Sequence, residues 1–340
     1  MYHIVSTNIC KLTMFIFQQS NLAKKTFEKI QKNLGIEITL ILEKPVDTRW
    51  NSHYIMLERC IRLKQALTLF VAEFETDDPP DQDDWELANQ LRDTLKPLYD
   101  VTVELSAEKS VTISKIIPLT GQLLEFYNVG EDFDLISAEV NDKFRYYINK
   151  SIEDRLGKKV ENDCTFAMAT FLDPRFKNLG FFGGPQKAEE AKKMVKKEAK
   201  EMFANDTHNE SENEEKIPTL EKPKAFSIWD SFNKKKNSSK VVQKPNILKI
   251  DKEVNRYLEL EMIGVEEDPL EWWKITGKEE CPTLFEVALK LFIIPASSVP
   301  SERIFSILGN IVTKKRTRLG KEITNQIVYL NRNMSEDSLL

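Results

Sequence analysis

The sequence predicts a mainly α-helical chain, and three observations carry that prediction. Apolar residues recur at helical spacing in most segments, as do Tyr54, Leu57, Ile61, Leu67 and Val71 of "RWNSHYIMLERCIRLKQALTLFV", with charges between them. The breaks between such segments are short and marked by Pro or Asp. Glycine is scarce, at 11 of 340 residues, which disfavours a turn-rich all-β architecture.

Three regions follow along the chain. Over residues 1–184, "WELANQLRDTLKPLYDVTVEL" and "ISKIIPLTGQLLEFY" read as helices bent or ended by Pro97 and Pro118. The apolar "CTFAMATFLDPRFKNLGFF" stops at Asp173-Pro174 and Gly183-Gly184, closing a helical region. Residues 185–246 are charged and poor in core formers, so they read as a disordered linker, although "KAEEAKKMVKKEAKEMF" at its start suits a helix. The island "FSIWDSF" within it is either a docking segment or a stray aromatic cluster. Order returns over 247–340, where Val254, Tyr257, Leu258 and Met262 share one helical face. In "EDPLEWWKI", Asp268 can cap a helix that Pro269 opens, with Glu271 three residues after the cap. The helix "TLFEVALKLFII" is apolar on most of its circumference and must be enclosed, and "KEITNQIVYLNRN" carries Ile323, Ile327 and Leu330 on one stripe.

Composition narrows the function classes. With 41% apolar and 30% charged residues, the chain is globular in type, and 340 residues allow two or three domains at roughly 100–200 residues each. A net charge of −5 gives no whole-molecule field toward nucleic acid or anionic membrane, so any such binding is local. Cys10, Cys60, Cys164 and Cys281 form no disulfide framework or zinc spacing, and His3, His53 and His208 are scattered, so no metal or cofactor is expected. The longest apolar stretch, residues 284–296, is shorter than the ~20 residues of a membrane span and contains Glu286 and Lys290. The first residues, "MYHIVSTNICKLTMFIF", lack the basic start and cleavage site of a signal peptide. The expectation is an intracellular chain with no membrane partner and no small-molecule substrate.

The most informative stretch is "SVPSERIFSILGNIVTKKRTRLG", residues 298–320, which sets Glu302 beside an apolar stripe of Ile304, Phe305 and Leu308 and follows it with a basic cluster. Together with "YLELEMI", "DPLEWW" and the proline-led apolar helix, it resembles the dimerisation region of hAT-family DNA transposases and their domesticated relatives. Upstream, "DTRWNSHYIMLERC" and "ATFLDPRFKNL" resemble the family's Arg-Trp segment and a segment of its helical insertion domain. The chain is similar to zinc finger BED domain-containing proteins without the BED finger.

The resemblance implies a helical insertion domain followed by the C-terminal helical part of a truncated ribonuclease H-like transposase core. In the family, an Asp-Asp-Glu triad holds two metal ions, because paired divalent ions about 4 Å apart need several carboxylates to neutralise and position them. Glu302 matches the third acid. The first two should precede "DTRW", yet only 46 residues stand before Asp47 and none of them is Asp. The expectation is therefore a vestigial Glu302 and a chain that is not an enzyme, with no metal bound.

Each candidate residue also has a plainer reading. Glu302 suits the first turn of a helix electrostatically. Arg49 and Trp50 match the family pair whose tryptophan stacks on an extruded base, while Trp50 can equally anchor the helix that follows. Lys314, Lys315, Arg316 and Arg318 are candidates for phosphate contacts, for a nuclear import signal, or for a solvated loop. DNA is thus a candidate partner, and the location is nuclear, or cytoplasmic where the basic clusters are not import signals.

Association is the function the residues favour. Tyr257, Leu258, Trp272, Trp273, Leu284, Leu291, Phe305, Ile323, Ile327 and Leu330 are the candidate dimerisation residues, since burying one aromatic removes roughly 150–250 Å² from water. A homodimer, or a pairing with a related hAT-derived chain, would cover them, and deleting residues 250–340 is expected to leave a monomer. The competing reading packs these faces on residues 1–184. The alternative function is a fragment of a DNA-binding transposase or domesticated regulator whose catalytic Asp residues and zinc finger lie upstream.

Overall fold

A computed structural model describes residues 21–36, 50–74, 79–130, 133–209, 245–311 and 320–333. The fold is mainly α, and no strand occurs among the described residues. The chain divides into two compact units, the first of residues 1–103 and 123–151, the second of residues 104–122 and 152–340.

In the first unit, helices α1 (Asn21–Asn33), α2 (Trp50–Arg62), α3 (Lys64–Phe74) and the start of α4 (Gln82–Leu105) enclose one core. Phe27 of α1 meets Phe70 of α3 edge-on, with ring centroids 5.8 Å apart. Met56, Leu57 and Cys60 of α2 and Trp85, Ala88 and Leu91 of α4 complete that core at helical spacing. Pro97 does not end α4; it lies inside the helix. Its interior cost of about 3 kcal/mol is offset by burial of Leu91 and Thr94 on the same helix. Pro118 does not end α5 (Ile116–Phe126) either, because it falls in the first turn, where a backbone N–H has no helical partner to lose. Helix α6 (Val140–Arg155) follows.

The second unit is built around α8 (Cys164–Leu172), a helix buried on most sides that follows the short α7 (Gly157–Asn162). Asp163 caps α8, accepting hydrogen bonds from the backbone N–H groups of Thr165 and Phe166. Helix α9 (Pro185–Asn209) buries Ala188, Ala191, Val195 and Ala199 against this core. The reading of 185–246 as a disordered linker is therefore corrected for 185–209: a stripe of small side chains lets the helix approach closely, and charges occupy its solvent side. Residues 210–244, including "FSIWDSF" and the lysines at 234–236, lie outside the described residues.

Helix α10 (Pro245–Glu259), α11 (Pro269–Trp272), a π turn (Trp273–Gly277), α12 (Lys278–Glu280) and α13 (Pro282–Phe292) complete the core. Asp268 caps α11 through its Oδ1, which accepts from Leu270 N at 2.9 Å, with Pro269 in the first position. Helices α14 (Val299–Ile311) and α15 (Lys321–Asn333) end the described chain.

Candidate functional site

The segment 253–333 divides sharply by exposure. Its first half is locked into the core by hydrogen bonds to helix ends. An α-helix leaves its last four carbonyls without helical partners, and α8 finds them in distant side chains. Tyr257 Oη donates to Phe171 O at 3.0 Å, and Trp273 Nε1 donates to Leu172 O at 2.9 Å. The two rings stack, with centroids 5.3 Å apart. In return, Lys177, just beyond α8, donates from Nζ to Tyr257 O and Leu260 O at the end of α10, at 2.8 and 2.5 Å. A cation there also suits the negative end of the helix dipole. Its backbone takes φ 46°, a left-handed conformation that these two bonds and the ring of Tyr257 beneath the ammonium hold in place.

The loop between them is anchored by charge. Asp173 is fully buried and receives both Nε and a terminal N–H of Arg175, at 2.9 and 2.7 Å, as well as the Ser114 hydroxyl at 2.6 Å. Removing one member of such a pair strands a buried charge. Glu253 of α10 caps α13, accepting from the backbone and hydroxyl of Thr283, both at 2.8 Å.

Consequently Tyr257, Trp273, Leu284 and Leu291 are corrected as dimerisation residues: they are buried within the chain's own second unit. Leu258 and Trp272 are partly buried against the same core. Their cover comes from α8 and also from α9 and the later helices of the same unit. Helix α13 packs its apolar side on that core while Pro282, Glu286 and Lys290 line its exposed side, and Ile293, just past Phe292, is 82% exposed. The rest of the candidates differ. Phe305 is 70% exposed on α14, and Ile323 and Leu330 are 51% and 49% exposed on α15, with Ile327 partly buried.

Glu302 is exposed in the first turn of α14, where the Ser298 hydroxyl donates to its Oε1 at 2.8 Å. Among the described residues, no group of three or more His, Cys, Asp and Glu side chains converges to hold a metal ion. The described residues therefore do not fit a two-ion centre, which needs several converging carboxylates. Trp50 opens α2 as a half-buried side chain. Arg49, Lys314, Lys315, Arg316 and Arg318 lie outside the described residues. No helix among the described residues is long and apolar enough to cross a membrane.

One feature beside α14 escaped sequence reasoning. A cavity of about 500 Å³ opens between the loop of residues 107–112 and the α13–α14 connection, lined by Leu270, Phe292, Ile293, Ile294, Pro295 and Pro300. The apolar run through Ile293 and Ile294 reads as continuous helix, but the helix stops at Phe292. Pro295 was the available signal, because the residue before a proline is biased away from the helical conformation.

The C-terminal segment is a core-locked half followed by helices with exposed apolar side chains. Residues 253–334 match the hAT family C-terminal dimerisation region, and residues 7–94 match the ZBED1 RNase-like helical domain. The chain is 24% identical to zinc finger BED domain-containing protein 4 of Homo sapiens, over 92% of this chain and 26% of that protein. It is 27% identical to the putative AC transposase of Zea mays, over 83% of this chain and 35% of that protein. It is 24% identical to the putative transcriptional regulator tpeD of Talaromyces stipitatus, over 92% of this chain and 34% of that protein. The chain thus carries a hAT dimerisation region and a ZBED1 RNase-like helical domain, and its relatives are BED zinc finger proteins and hAT transposases; it spans about a quarter to a third of the length of these relatives.

Proposed function

We propose that this chain is a non-catalytic association module of hAT descent that pairs with a second copy, or a related hAT-derived chain, through α14 and α15. The observation that carries this reading is the exposure of Phe305, at 70%, inside a region that matches a dimerisation family. A large aromatic held in water forgoes about 1.5–3 kcal/mol that burial would contribute, and Ile323 and Leu330 extend the same uncovered character. Light scattering at micromolar concentration should give twice the chain mass of 39.5 kDa. Phe305→Asp should halve it, and an intact chain at single mass would defeat the proposal.

The absence of catalysis in this chain is part of the same reading. It is supported by the surface position of Glu302 and its bond to Ser298. Strand nicking with magnesium or manganese should stay at background in both the wild type and Glu302→Gln; metal-dependent nicking lost in the variant would refute it. Nuclear action is proposed from the relative named as a transcriptional regulator and from the basic residues Lys314, Lys315 and Arg316. Changing those three to Ala should move a tagged chain out of the nucleus.

A further inference from the structure

We infer that the cavity between residues 107–112 and the α13–α14 connection is the socket for Phe305 of a second copy of this chain, so that two copies exchange α14 side chains reciprocally. The inference rests on the self-association reading and says where the copies meet. Socket and plug have matching character. One wall of the socket is apolar, formed by Leu270, Phe292, Ile293, Ile294, Pro295 and Pro300, the other is the more polar stretch 107–112, and Phe305 is an exposed aromatic on the neighbouring helix.

Position points to a second copy rather than to a foreign partner. Half of the cavity wall, from Leu270 to Pro300, and Phe305 itself fall within residues 253–334, the segment that matches the dimerisation region. Pro300 in the wall and Phe305 on the plug belong to the same helix, five residues and therefore about 7.5 Å of rise apart. A two-fold pairing brings the same patch of both copies together, so each residue meets a counterpart in both directions.

Charge agrees. Glu302 stands three residues before Phe305 and so on the same helical side, and Lys109 lies on the socket rim. Lys109 is exposed and has no salt-bridge partner among the described residues, whereas its neighbour Glu108 is bridged to Arg303 at 2.7 Å. Entry of the second copy's Phe305 would carry its Glu302 toward Lys109. This gives the vestigial acid a role in recognition.

The test uses the full chain and two variants at exposed positions, Phe305→Asp, which removes the plug, and Ile293→Arg, which blocks the socket. Each alone should run at single mass in light scattering, with an unchanged circular dichroism spectrum. An equal mixture should recover double mass, since one intact plug then meets one intact socket. A dimeric Ile293→Arg chain, or a mixture that stays monomeric, would overturn the socket while leaving self-association standing. A monomeric wild type would remove both. As a second measurement, Glu302→Lys should weaken dimerisation at low salt, and adding Lys109→Glu should restore it; failure of that rescue would exclude the proposed register.

Discussion

At the scale of single residues, Trp273 is the side chain on which the C-terminal half of the core turns. Its indole is fully buried, stacked on Tyr257 and bonded to the end of α8. The π turn that carries it is fitted to the ring: a Cβ on Gly277 would overlap the indole. Gly277→Ala should therefore destabilise the chain by about 1–3 kcal/mol through overpacking, measured by denaturant midpoint. Trp273→Ala should cost about 3–5 kcal/mol, while Phe305→Asp should leave the midpoint nearly unchanged below the association concentration. Burial also sets two titrations against each other. It pushes the Cys281 thiol up to about 12, with the Glu253 carboxylate adding to it, and pushes the Lys177 ammonium down to about 8. The unfolded thiol releases its proton near its ordinary 9.0 while the folded one keeps it, so this contribution is full below pH 9 and is lost as pH rises toward 12. The unfolded lysine stays charged up to its ordinary 10.5 while the folded one discharges from about 8, so stability is regained over that window. The two should offset each other in the wild type. Cys281→Ala should then gain about 2 kcal/mol relative to wild type between pH 9 and 11, as read by urea unfolding at both pH values; a constant difference would refute the assignment.

At the scale of elements, helix ends are satisfied by side chains from far away in sequence, and this is where sequence reasoning stopped. The apolar faces of Tyr257 and Trp273 were legible from spacing and composition, as was the cap at Asp268. Their partners were not. Phe171 O and Leu172 O stand 86 and 101 residues away, and no local pattern reports which carbonyls a distant ring will cap. For the same reason the sequence assigned these rings to an interface, when the chain itself supplies their cover. Helix α9 was half legible: its charges gave a solvated segment, whereas the stripe Ala188, Ala191, Val195 and Ala199 carries little hydrophobic signal per residue and becomes core only by close approach. The socket was least visible, since it depends on where α13 stops. Glu253 tests the helix-end account directly. Its carboxylate holds Thr283 by both backbone and hydroxyl, so Glu253→Ala should cost about 2–3 kcal/mol, because buried donors are left without partners. Glu253→Gln should recover part of that loss by keeping an acceptor, and equal losses in both variants would argue against capping.

At the scale of the whole molecule, the division between locked and exposed halves changes what truncation does. Removing residues 250–340 was expected to leave a monomer, but that span supplies Ile250, Val254, Tyr257, Trp273, Cys281, Leu284, Val287, Ala288, Leu291 and Phe292 to the core of the second unit. Burial of each such side chain contributes about 1.5–3 kcal/mol, against a total domain stability of only 5–15 kcal/mol. The shorter chain should therefore lose the second unit's cooperative unfolding and become susceptible to protease between residues 152 and 209. A chain ending at Ser298 is a different case. Among the residues whose burial is described, neither α14 nor α15 contributes a buried apolar residue to that core, so this truncation should keep the wild-type melting transition within a few degrees while removing the plug at Phe305 and part of the socket at Pro300. Light scattering should then give single mass for a folded protein. If the chain ending at Ser298 instead melts early or aggregates, α14 and α15 serve to support the fold, and association would have to be sought on another surface.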